Sequence, residues 1–327
     1  MREPLILVAD GGGSNTRAML ATVDGTVLGI GSGGPANYHV AGKKIAASSL
    51  RMAIEAAYQA ASMAMQPVAV GYFGLAGVGR EEDRVVLREL LAGFPPTYTI
   101  LRLDDDGMIA LAGATVGEPG VAIICGTGSI VYGCNKEGIY ARAGGWGPLI
   151  GDEGGGYDIG RKGMIAVMQA GDGRGPQTLL TELLLSALAV SSYEKIVLKA
   201  YSKEMQRPQI AALSIQVKQA AAAGDAVAQE ILDDAVKELS LAAAAVIKRL
   251  GMQSERFPVA LAGGGFAHDW RWARGLESQI QRCAPLAYLT KPIYEPLIGA
   301  LLLGLKAYYG EIPNVVLEKV RRSLDGQ

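Results

Sequence analysis

The chain contains 327 residues, half of them apolar, and its 31 Lys and Arg residues nearly balance its 32 Asp and Glu residues, giving a formal net charge of -1. This balance gives no electrostatic reason to bind nucleic acid or an anionic membrane surface, so a small-molecule partner is expected. The length favours two domains. The three cysteines form no Cys-x-x-Cys pair and indicate neither a disulfide framework nor a zinc site.

The beginning of the chain and its longest apolar stretches bear on location. No basic-then-apolar leader precedes the first predicted strand, which predicts a cytoplasmic protein. The apolar stretch at 179–190 is too short, and too interrupted by polar residues, to cross a bilayer. No membrane partner is therefore expected.

A glycine-rich turn follows the first predicted strand. The strand leads through Asp10 into the turn at 11–16, which is followed by a strand at 18–23, a tight turn at Asp24-Gly25 and a returning strand at 26–28. Glycine lacks a Cβ, so such a turn brings backbone N–H groups close to an anion, and neighbouring hydroxyl groups add donors. The turn is predicted to bind phosphate.

Helices and strands then alternate through the rest of the first half. Helical periodicity at 45–65 and 81–91 alternates with short apolar runs at 68–70 and 99–103. This alternation predicts an α/β domain with a mostly parallel sheet.

The same order of strand, glycine-rich turn and hairpin recurs in the second half. A strand ending at Cys125 meets a turn at 126–129, and a hairpin joins strands at 130–132 and 139–141. The recurrence predicts a duplicated architecture with a cleft between the halves, in which the two turns grip one polyphosphate.

The remainder of the second half is predicted to be mainly helical. Helix-forming sequence covers 176–250, with breaks at Pro208 and Gly224-Asp225. A strand at 259–262 meets a third glycine-rich junction at 263–265, and a helical apolar pattern runs from 293 to 309.

Carboxylates follow two of the predicted strands. Because the first turn lacks a lysine, Asp10 is predicted to hold a Mg²⁺ ion that offsets the polyphosphate charge, with turn capping as the alternative. Three aspartates, Asp104, Asp105 and Asp106, directly follow the strand at 99–103. Their crowding is expected to raise the pKa of at least one carboxyl group, which suits a general base. A solvated loop or a helix N-cap is the alternative, and the pattern does not choose among the three.

Two further stretches carry groups that suit a sugar. The segment 146–157 combines Asp152 and Glu153 with glycines and flanking aromatic residues, so it offers acceptors for hydroxyl groups beside an apolar face. A metal-binding turn is the alternative. Asn37 follows a Gly-Pro stretch and offers its amide to a polar ligand, with a plain turn residue as the alternative.

Five motifs stand in an order that matches a known family over essentially the whole chain. Asp10 with the turn at 11–16, Asp106, the turn at 126–129, Gly-Asp-Glu-Gly at 151–154 and Leu-Ala-Gly-Gly-Gly at 261–265 together resemble the BadF/BadG/BcrA/BcrD ATPase family, and within it the N-acetylglucosamine and glucosamine kinases. The resemblance implies an α/β fold of two duplicated actin-like (ribonuclease H-like) ATPase domains, with an interdomain cleft and a helical insertion in the second.

The resemblance places domain boundaries on the sequence. The N-terminal actin-like domain would cover 1–117 and be joined by a C-terminal helix at 293–327. The C-terminal domain would cover 118–292, with its helical elaboration at 176–250.

The resemblance also implies a role for each matching residue. Asp106 would be the catalytic base and contact the sugar, and Asp10 would serve Mg²⁺. The other sugar-binding residues would be Asn37, Asp152 and Glu153. ATP would be bound by Gly12, Gly13, Ser14, Asn15, Thr16, Gly126, Thr127, Gly128, Ser129, Gly263, Gly264 and Gly265.

The implied activity is ATP- and Mg²⁺-dependent phosphorylation of an amino-sugar hydroxyl, O6 of N-acetylglucosamine or glucosamine, with a homodimer as the implied assembly. Two positions depart from the family pattern, because Asp105 replaces an Asn and Gly155 replaces a Ser. Two alternatives stay open. One is an ATPase activator of a dehydratase or reductase, which needs cysteines for an iron–sulfur cluster. The other is an actin-like module that senses ATP or sugar or assembles into filaments.

Overall fold

The computed structural model describes residues 3–266 and 271–325, and the chain divides into two compact units. Unit 1 comprises Met1–Glu118 and Pro292–Gln327, and unit 2 comprises Pro119–Lys291. Each unit is of the α/β class and contains one five-stranded sheet. Elements are numbered along the whole chain.

Unit 1 combines strands and helices from both ends of the chain. Its strands are β1 (Leu5–Gly11), β2 (Thr16–Thr22), β3 (Val27–Gly33), β4 (Val68–Leu75) and β5 (Tyr98–Asp104). Its helices are α1 (Tyr38–Ala41), α2 (Lys43–Ala60), α3 (Glu81–Ala92), α4 (Asp106–Thr115), α12 (Pro296–Tyr309) and α13 (Asn314–Asp325).

The sheet of unit 1 has the order β3-β2-β1-β4-β5. The strand β1 is antiparallel to β2 and parallel to β4. Its side chains alternate between two cores: Leu7 packs with Leu50 of α2, whereas Ile6 and Val8 pack with Leu301 of α12. A strand covered on both faces needs a continuous apolar run, which is what the sequence of β1 provides.

Unit 2 contains the remaining elements. Its strands are β6 (Gly120–Cys125), β7 (Ser129–Cys134), β8 (Tyr140–Gly144), β9 (Pro258–Ala262) and β10 (Tyr288–Thr290). Its helices are α5 (Gly156–Asp172), α6 (Leu180–Leu188), α7 (Tyr193–Ala200), α8 (Arg207–Ala212), α9 (Ser214–Ala222), α10 (Ala226–Arg249) and α11 (Arg271–Gln281), with a 3₁₀ turn at Gly264–Phe266.

The sheet of unit 2 has the order β10-β9-β6-β7-β8, which matches the strand order of unit 1. The strand β6 takes the place of β1, because it is antiparallel to β7 and parallel to β9. Each sheet therefore consists of a three-stranded antiparallel part and a parallel part that meet at one central strand.

The structure differs from the sequence predictions at several helix ends. The helix predicted at 45–65 ends at Ala60, shortly before Ser62 adopts a left-handed φ of 52°. The prediction of one C-terminal helix at 293–327 was wrong: α12 and α13 are separate, and Gly310, with φ of 78°, ends α12. Residues 326–327 lie outside the described range. Among residues 3–266 and 271–325, none of the helices combines the length with the apolar character that a membrane span requires.

Candidate active site

The turn between β1 and β2 is held from behind by the backbone of its own unit. The Gly12 N–H donates to the Asn15 carbonyl (2.8 Å), and the Gly12 carbonyl accepts from the Ala36 N–H (3.0 Å). Residues 13–15 are exposed, and a Cβ added at Gly13 would meet nothing within 4 Å. One side of the turn is thus held by hydrogen bonds at Gly12, and the side at Gly13 is open, which fits a phosphate group.

Two residues at the ends of this turn lie inside the protein. Thr16 is fully buried, and its hydroxyl donates to the Gly34 carbonyl (2.7 Å). Gly11 packs so tightly that an added Cβ would lie 2.4 Å from Leu75 Cδ2. The structure therefore places Thr16 where it supports the turn, and not on the exposed face with Ser14.

The three consecutive aspartates differ in their surroundings because β5 ends and α4 begins among them. Asp104 ends β5, accepts a hydrogen bond from the Tyr72 hydroxyl (2.6 Å) and lies 3.5 Å from an Arg84 nitrogen. Asp105 is the N-cap of α4 and accepts from the Gly107 N–H (3.0 Å). Both carboxylates thus have structural partners within unit 1.

Asp106 is the first residue of α4. Burial raises its pKa to about 8, and the Asp105 carboxylate, a hydrogen bond with Asp105 and the charge of Asp10 all add to the rise. The Gly107 N–H opposes it. A carboxyl group that titrates near neutral pH is matched to general-base catalysis.

Asp10 lies near the end of β1, opposite Arg17 of β2. Burial raises its pKa, Arg17 opposes the rise and Glu295 adds to it. The mutual repulsion of the Asp10 and Asp106 carboxylates is the kind of interaction that a divalent cation relieves, and Mg²⁺ typically takes one or two carboxylates together with substrate phosphates. The described residues include no group of three or more His, Cys, Asp or Glu side chains placed to hold a metal ion.

Asn37 is hydrogen-bonded both to the first turn and to the start of α1. Its N–H donates to the Gly12 carbonyl (3.3 Å), and its side-chain oxygen caps α1 by accepting from the His39 N–H (3.1 Å). His39 and Tyr38 both hydrogen-bond the buried Asp83 carboxylate of α3. Asn37 thus lies beside the phosphate-type turn, with its side chain engaged as a helix cap.

The turn between β6 and β7 has the same construction in unit 2. The Gly126 N–H donates to the Gly128 carbonyl (2.9 Å). The Gly126 and Thr127 carbonyls accept from the Gly156 and Tyr157 N–H groups (2.9 Å each) at the start of α5. A Cβ added at Gly126 would meet nothing within 4 Å. As in the first turn, the carbonyl groups have hydrogen-bond partners within the unit, and there is open space beside one glycine.

The Gly-Asp-Glu-Gly segment packs directly on this second turn. Asp152 has a left-handed φ of 62° and a side chain only 7% exposed. Its Oδ1 accepts from the Gly147 N–H (3.1 Å), and its Oδ2 is bound by the Arg207 guanidinium. An added Cβ at Gly128 would lie 2.2 Å from Asp152 Oδ2. The carboxylate is therefore fixed against the turn.

Glu153 is anchored through its backbone. Its carbonyl accepts from the buried Ser129 hydroxyl (2.6 Å), while its side chain is exposed. The residue Trp146 is 56% exposed, and the Arg142 guanidinium carbon lies 4.7 Å from the centroid of its ring. These residues form a polar and aromatic edge next to Asp152.

The third glycine-rich segment follows β9. Because β9 is parallel to β6, Gly263 and Gly265 meet Cys125, where an added Cβ at either glycine would lie 2.4 Å from a cysteine atom. A Cβ at Gly264 would meet nothing within 4 Å. Burial raises the pKa of the Cys125 thiol to about 12, so this cysteine is a neutral packing residue beneath both turns.

Each unit brings its own predicted residues together. Unit 1 groups Asp10, the turn at 12–16, Asn37 and Asp106, and unit 2 groups the turn at 126–129 with the residues Asp152, Glu153, Gly263, Gly264 and Gly265. Sequence reasoning missed Arg207, which belongs to no motif and precedes a proline that was interpreted only as a helix break. The burial of Asp152, which creates the need for a cation, is not visible in the sequence.

Known proteins with similar sequences match most of the chain. The sequence matches the BadF/BadG/BcrA/BcrD ATPase family over residues 9–304. The N-acetylmuramic acid/N-acetylglucosamine kinase of Clostridium acetobutylicum is 36% identical over 259 residues, covering 79% of this chain and 84% of that one. The N-acetyl-D-glucosamine kinase of Dictyostelium discoideum is 32% identical over 317 residues, covering 94% and 99%.

Solved structures share the fold. A protein from Chromobacterium violaceum superposes with a TM-score of 0.70 at 29% identity, covering 93% of this chain and 99% of that one. A ROK family glucokinase from Streptomyces griseus gives a TM-score of 0.54 at 14% identity, covering 92% and 99%. From the motif-bearing turns, the extent of the sequence match and the shared fold, we conclude that the chain belongs to the BadF/BadG/BcrA/BcrD ATPase family.

Proposed function

We propose that this protein is an ATP- and Mg²⁺-dependent kinase that phosphorylates O6 of an amino sugar of the N-acetylglucosamine or glucosamine type. The observation that carries the proposal is Asp106, a carboxyl group at a helix N-terminus whose pKa is raised to about 8. The names of the two relatives at 36% and 32% identity support the substrate class.

In this proposal the three glycine-rich segments bind ATP. The exposed residues 13–15 and Thr127 would donate to phosphate oxygens. Gly12 and Thr16 hold the first turn in shape, and the buried Ser129, which was predicted to bind ATP, instead holds the second turn through its bond to the Glu153 carbonyl. The open space at Gly264 would admit the adenosine part of the nucleotide, and Gly263 and Gly265 allow the chain to approach Cys125. Mg²⁺, when bound at Asp10, would offset the phosphate charge.

Asp106 is assigned the proton-transfer step. Its ionised carboxylate takes the proton from the sugar hydroxyl while that oxygen bonds to the γ-phosphorus, and the bond from phosphorus to the bridging oxygen of ADP breaks. ADP departs with the bonding electron pair. A positioned general base typically accelerates such a step by about 10²- to 10⁴-fold.

The remaining two aspartates are assigned supporting roles. Asp104 is already bound by Tyr72 and Arg84, and Asp105 caps α4. Asp105 also acts on Asp106, because its negative charge helps to raise the pKa of the base.

Sugar recognition is assigned to Asn37, Asp152 and Glu153. The amide of Asn37 and the carboxylates of the other two offer acceptors and donors to hydroxyl groups. The exposed ring of Trp146 offers the flat apolar surface that the face of a pyranose requires.

We also propose that the two units are duplicated domains. The matching strand orders of the two sheets support a duplicated actin-like domain, with boundaries at 1–117 plus the C-terminal helices and at 118–292. The helices α6 to α10 would be an insertion in the second domain. A homodimer is the assembly we infer for such a kinase.

The position of phosphorylation tests this function directly. The protein is incubated with MgATP and each of N-acetylglucosamine, glucosamine, N-acetylmuramic acid and glucose, and the products are identified by ³¹P and ¹³C NMR. We expect a 6-phosphate of an amino sugar, and no product from the matched 6-deoxy sugar. A phosphate on another hydroxyl would overturn the O6 assignment, and ATP hydrolysis without a sugar product would overturn the kinase.

A further inference from the structure

Arg207 joins the second phosphate-type turn to the proposed sugar-binding carboxylate. It is the first residue of α8, and its Nη2 is bound to Asp152 Oδ2. A Cβ added at Gly128 would lie 2.5 Å from the same nitrogen. The guanidinium thus contacts the side chain of Asp152 and the backbone of the 126–129 turn at once.

The burial of Asp152 explains why a cation is needed at this point. Its side chain is 7% exposed, and an ionised carboxylate taken out of water without a partner is strongly disfavoured. The Gly147 N–H alone offers one neutral hydrogen bond (3.1 Å). The Arg207 guanidinium supplies a second, charged partner at Oδ2.

Within the part of the chain that the structure describes, the one hydrogen-bond partner of the Arg207 side chain is Asp152. Arg207 Nε is buried and, among the described residues, has no hydrogen-bond partner. Buried donors without partners are uncommon in proteins and call for an explanation. The contact with Asp152 is thus the polar interaction that fixes the position of this guanidinium.

The bonds that Asp152 makes leave acceptor capacity for a substrate. An ionised carboxylate has about four lone-pair positions, two on each oxygen. Gly147 occupies one position on Oδ1, and Arg207 occupies one on Oδ2. Oδ2 packs against Gly128 and Arg207, so the remaining position on Oδ1 is the one assigned to a sugar hydroxyl.

We propose that Arg207 is a positioning residue for the sugar. It holds the Asp152 carboxylate in one orientation against the 126–129 turn, from which the carboxylate accepts a hydrogen bond from a sugar hydroxyl. This inference rests on the proposed kinase function and deepens it, because it assigns control of sugar affinity to a side chain of α8 that no motif contains.

Steady-state kinetics of Arg207→Gln with the preferred amino sugar provide the test. We expect the KM for the sugar to rise roughly 10- to 100-fold, with a much smaller change in the KM for ATP. Arg207→Lys keeps the charge but loses the planar fork, so it should recover part of the affinity. The matched control is Arg174→Gln, which breaks an exposed Arg–Asp pair at Asp172 and should leave both KM values unchanged.

A double-mutant cycle separates positioning from a general loss of structure. In an Asp152→Asn background, Arg207→Gln should cause little further rise in the KM for the sugar, because the group it positions is already changed. Thermal unfolding of each variant verifies that the comparison is made between folded proteins. Equal effects of Arg207→Gln in both backgrounds would overturn the proposal.

The outcomes also distinguish this inference from the function on which it rests. If the wild-type protein phosphorylates no amino sugar, the proposed function fails and the inference fails with it. If the wild type is active and Arg207→Gln leaves the KM for the sugar unchanged or lowers it, the inference alone is wrong. A fall would mean that Arg207 blocks the carboxylate from the sugar.

Discussion

At the scale of single residues, the three consecutive aspartates differ in their surroundings because β5 ends and α4 begins among them. Asp104 is the last residue of β5 and contacts Tyr72 and Arg84. Asp105 caps α4, and Asp106 lies in the first turn of that helix. The sequence predicted that one carboxyl pKa would be raised but could not choose among the three. The choice depends on the exact end of β5 and on the partners that the fold brings from β4 and α3.

The raised pKa of Asp106 predicts that this residue lowers stability at neutral pH. Well below pH 3.8 both the folded and unfolded states hold the proton. As the pH rises towards 8 the unfolded state releases it at its ordinary pKa of 3.8 while the folded state keeps it. Wild-type stability therefore falls over this range, and Asp106→Asn should be more stable by about 1–3 kcal/mol near pH 8.

Thermal unfolding without ligands, measured from pH 4 to pH 8, checks this prediction. The advantage of Asp106→Asn should grow with pH. Asp172→Asn is the control, because the pKa of Asp172 is lowered and its replacement produces no such growth. A constant difference between wild type and Asp106→Asn would mean that the Asp106 carboxyl titrates normally in the folded protein.

The influence of Asp105 on the base predicts a shifted pH profile. A general base must be ionised, so kcat/KM should rise with pH as Asp106 loses its proton. Asp105→Asn removes a neighbouring negative charge and retains a good N-cap, so the rising limb should move by about one pH unit towards acid. Asp104→Asn should move the limb much less, since burial, Asp105 and Asp10 are the main causes of the raised pKa. An unmoved limb in Asp105→Asn would contradict the coupling.

At the scale of elements, the second turn depends on very close packing between backbones. Gly155 has an ordinary φ of -72°, yet an added Cβ would lie 2.6 Å from the Gly128 carbonyl carbon. Space, and not backbone conformation, is what requires glycine there. This contact gives a physical reason for the glycine where the family pattern has a serine.

The packing of Gly155 predicts that even one methyl group displaces the turn. Gly155→Ala should lower stability by about 1–3 kcal/mol and raise the KM for ATP. The control is Gly93→Ala, where the added Cβ would lie at an ordinary 3.5 Å from the Leu90 carbonyl oxygen. Denaturant unfolding and ATP titrations measure the two effects. An unchanged denaturant midpoint for Gly155→Ala would contradict this prediction, because it would mean that the Gly128 backbone moves aside at little cost.

Most elements that carry the candidate site were predicted because their signals are local. Apolar runs identified the positions of β1, β4, β5, β6 and β9, and glycine-rich sequence identified the turns that follow β1, β6 and β9. The helix α5 was not predicted, because its glycine-rich start reads as a loop. β10 has only three residues, too few for a periodic signal. The breaks between α6 and α7 and between α8 and α9 lack the prolines and glycines on which the prediction relied, whereas Pro208 lies in the first turn of α8.

At the scale of the whole molecule, ligand binding is expected to raise the unfolding temperature. A ligand that binds only the folded protein at 100 times its Kd adds about 2.7 kcal/mol to stability. We therefore expect a clear rise with MgATP, a further rise with an amino sugar, and a smaller effect of ATP when EDTA removes the metal. Asp10→Asn should weaken the dependence on Mg²⁺. An equal rise with and without EDTA would contradict the role of Asp10.

The central claim is that Asp106 is the base of a sugar kinase. A coupled assay of ADP release, run on wild type and Asp106→Asn with and without N-acetylglucosamine and glucosamine, tests it most directly. The account predicts sugar-dependent turnover by the wild type and a loss of about 10²- to 10⁴-fold in the variant. Sugar-independent ATP hydrolysis, or full sugar-dependent activity in Asp106→Asn, would contradict it.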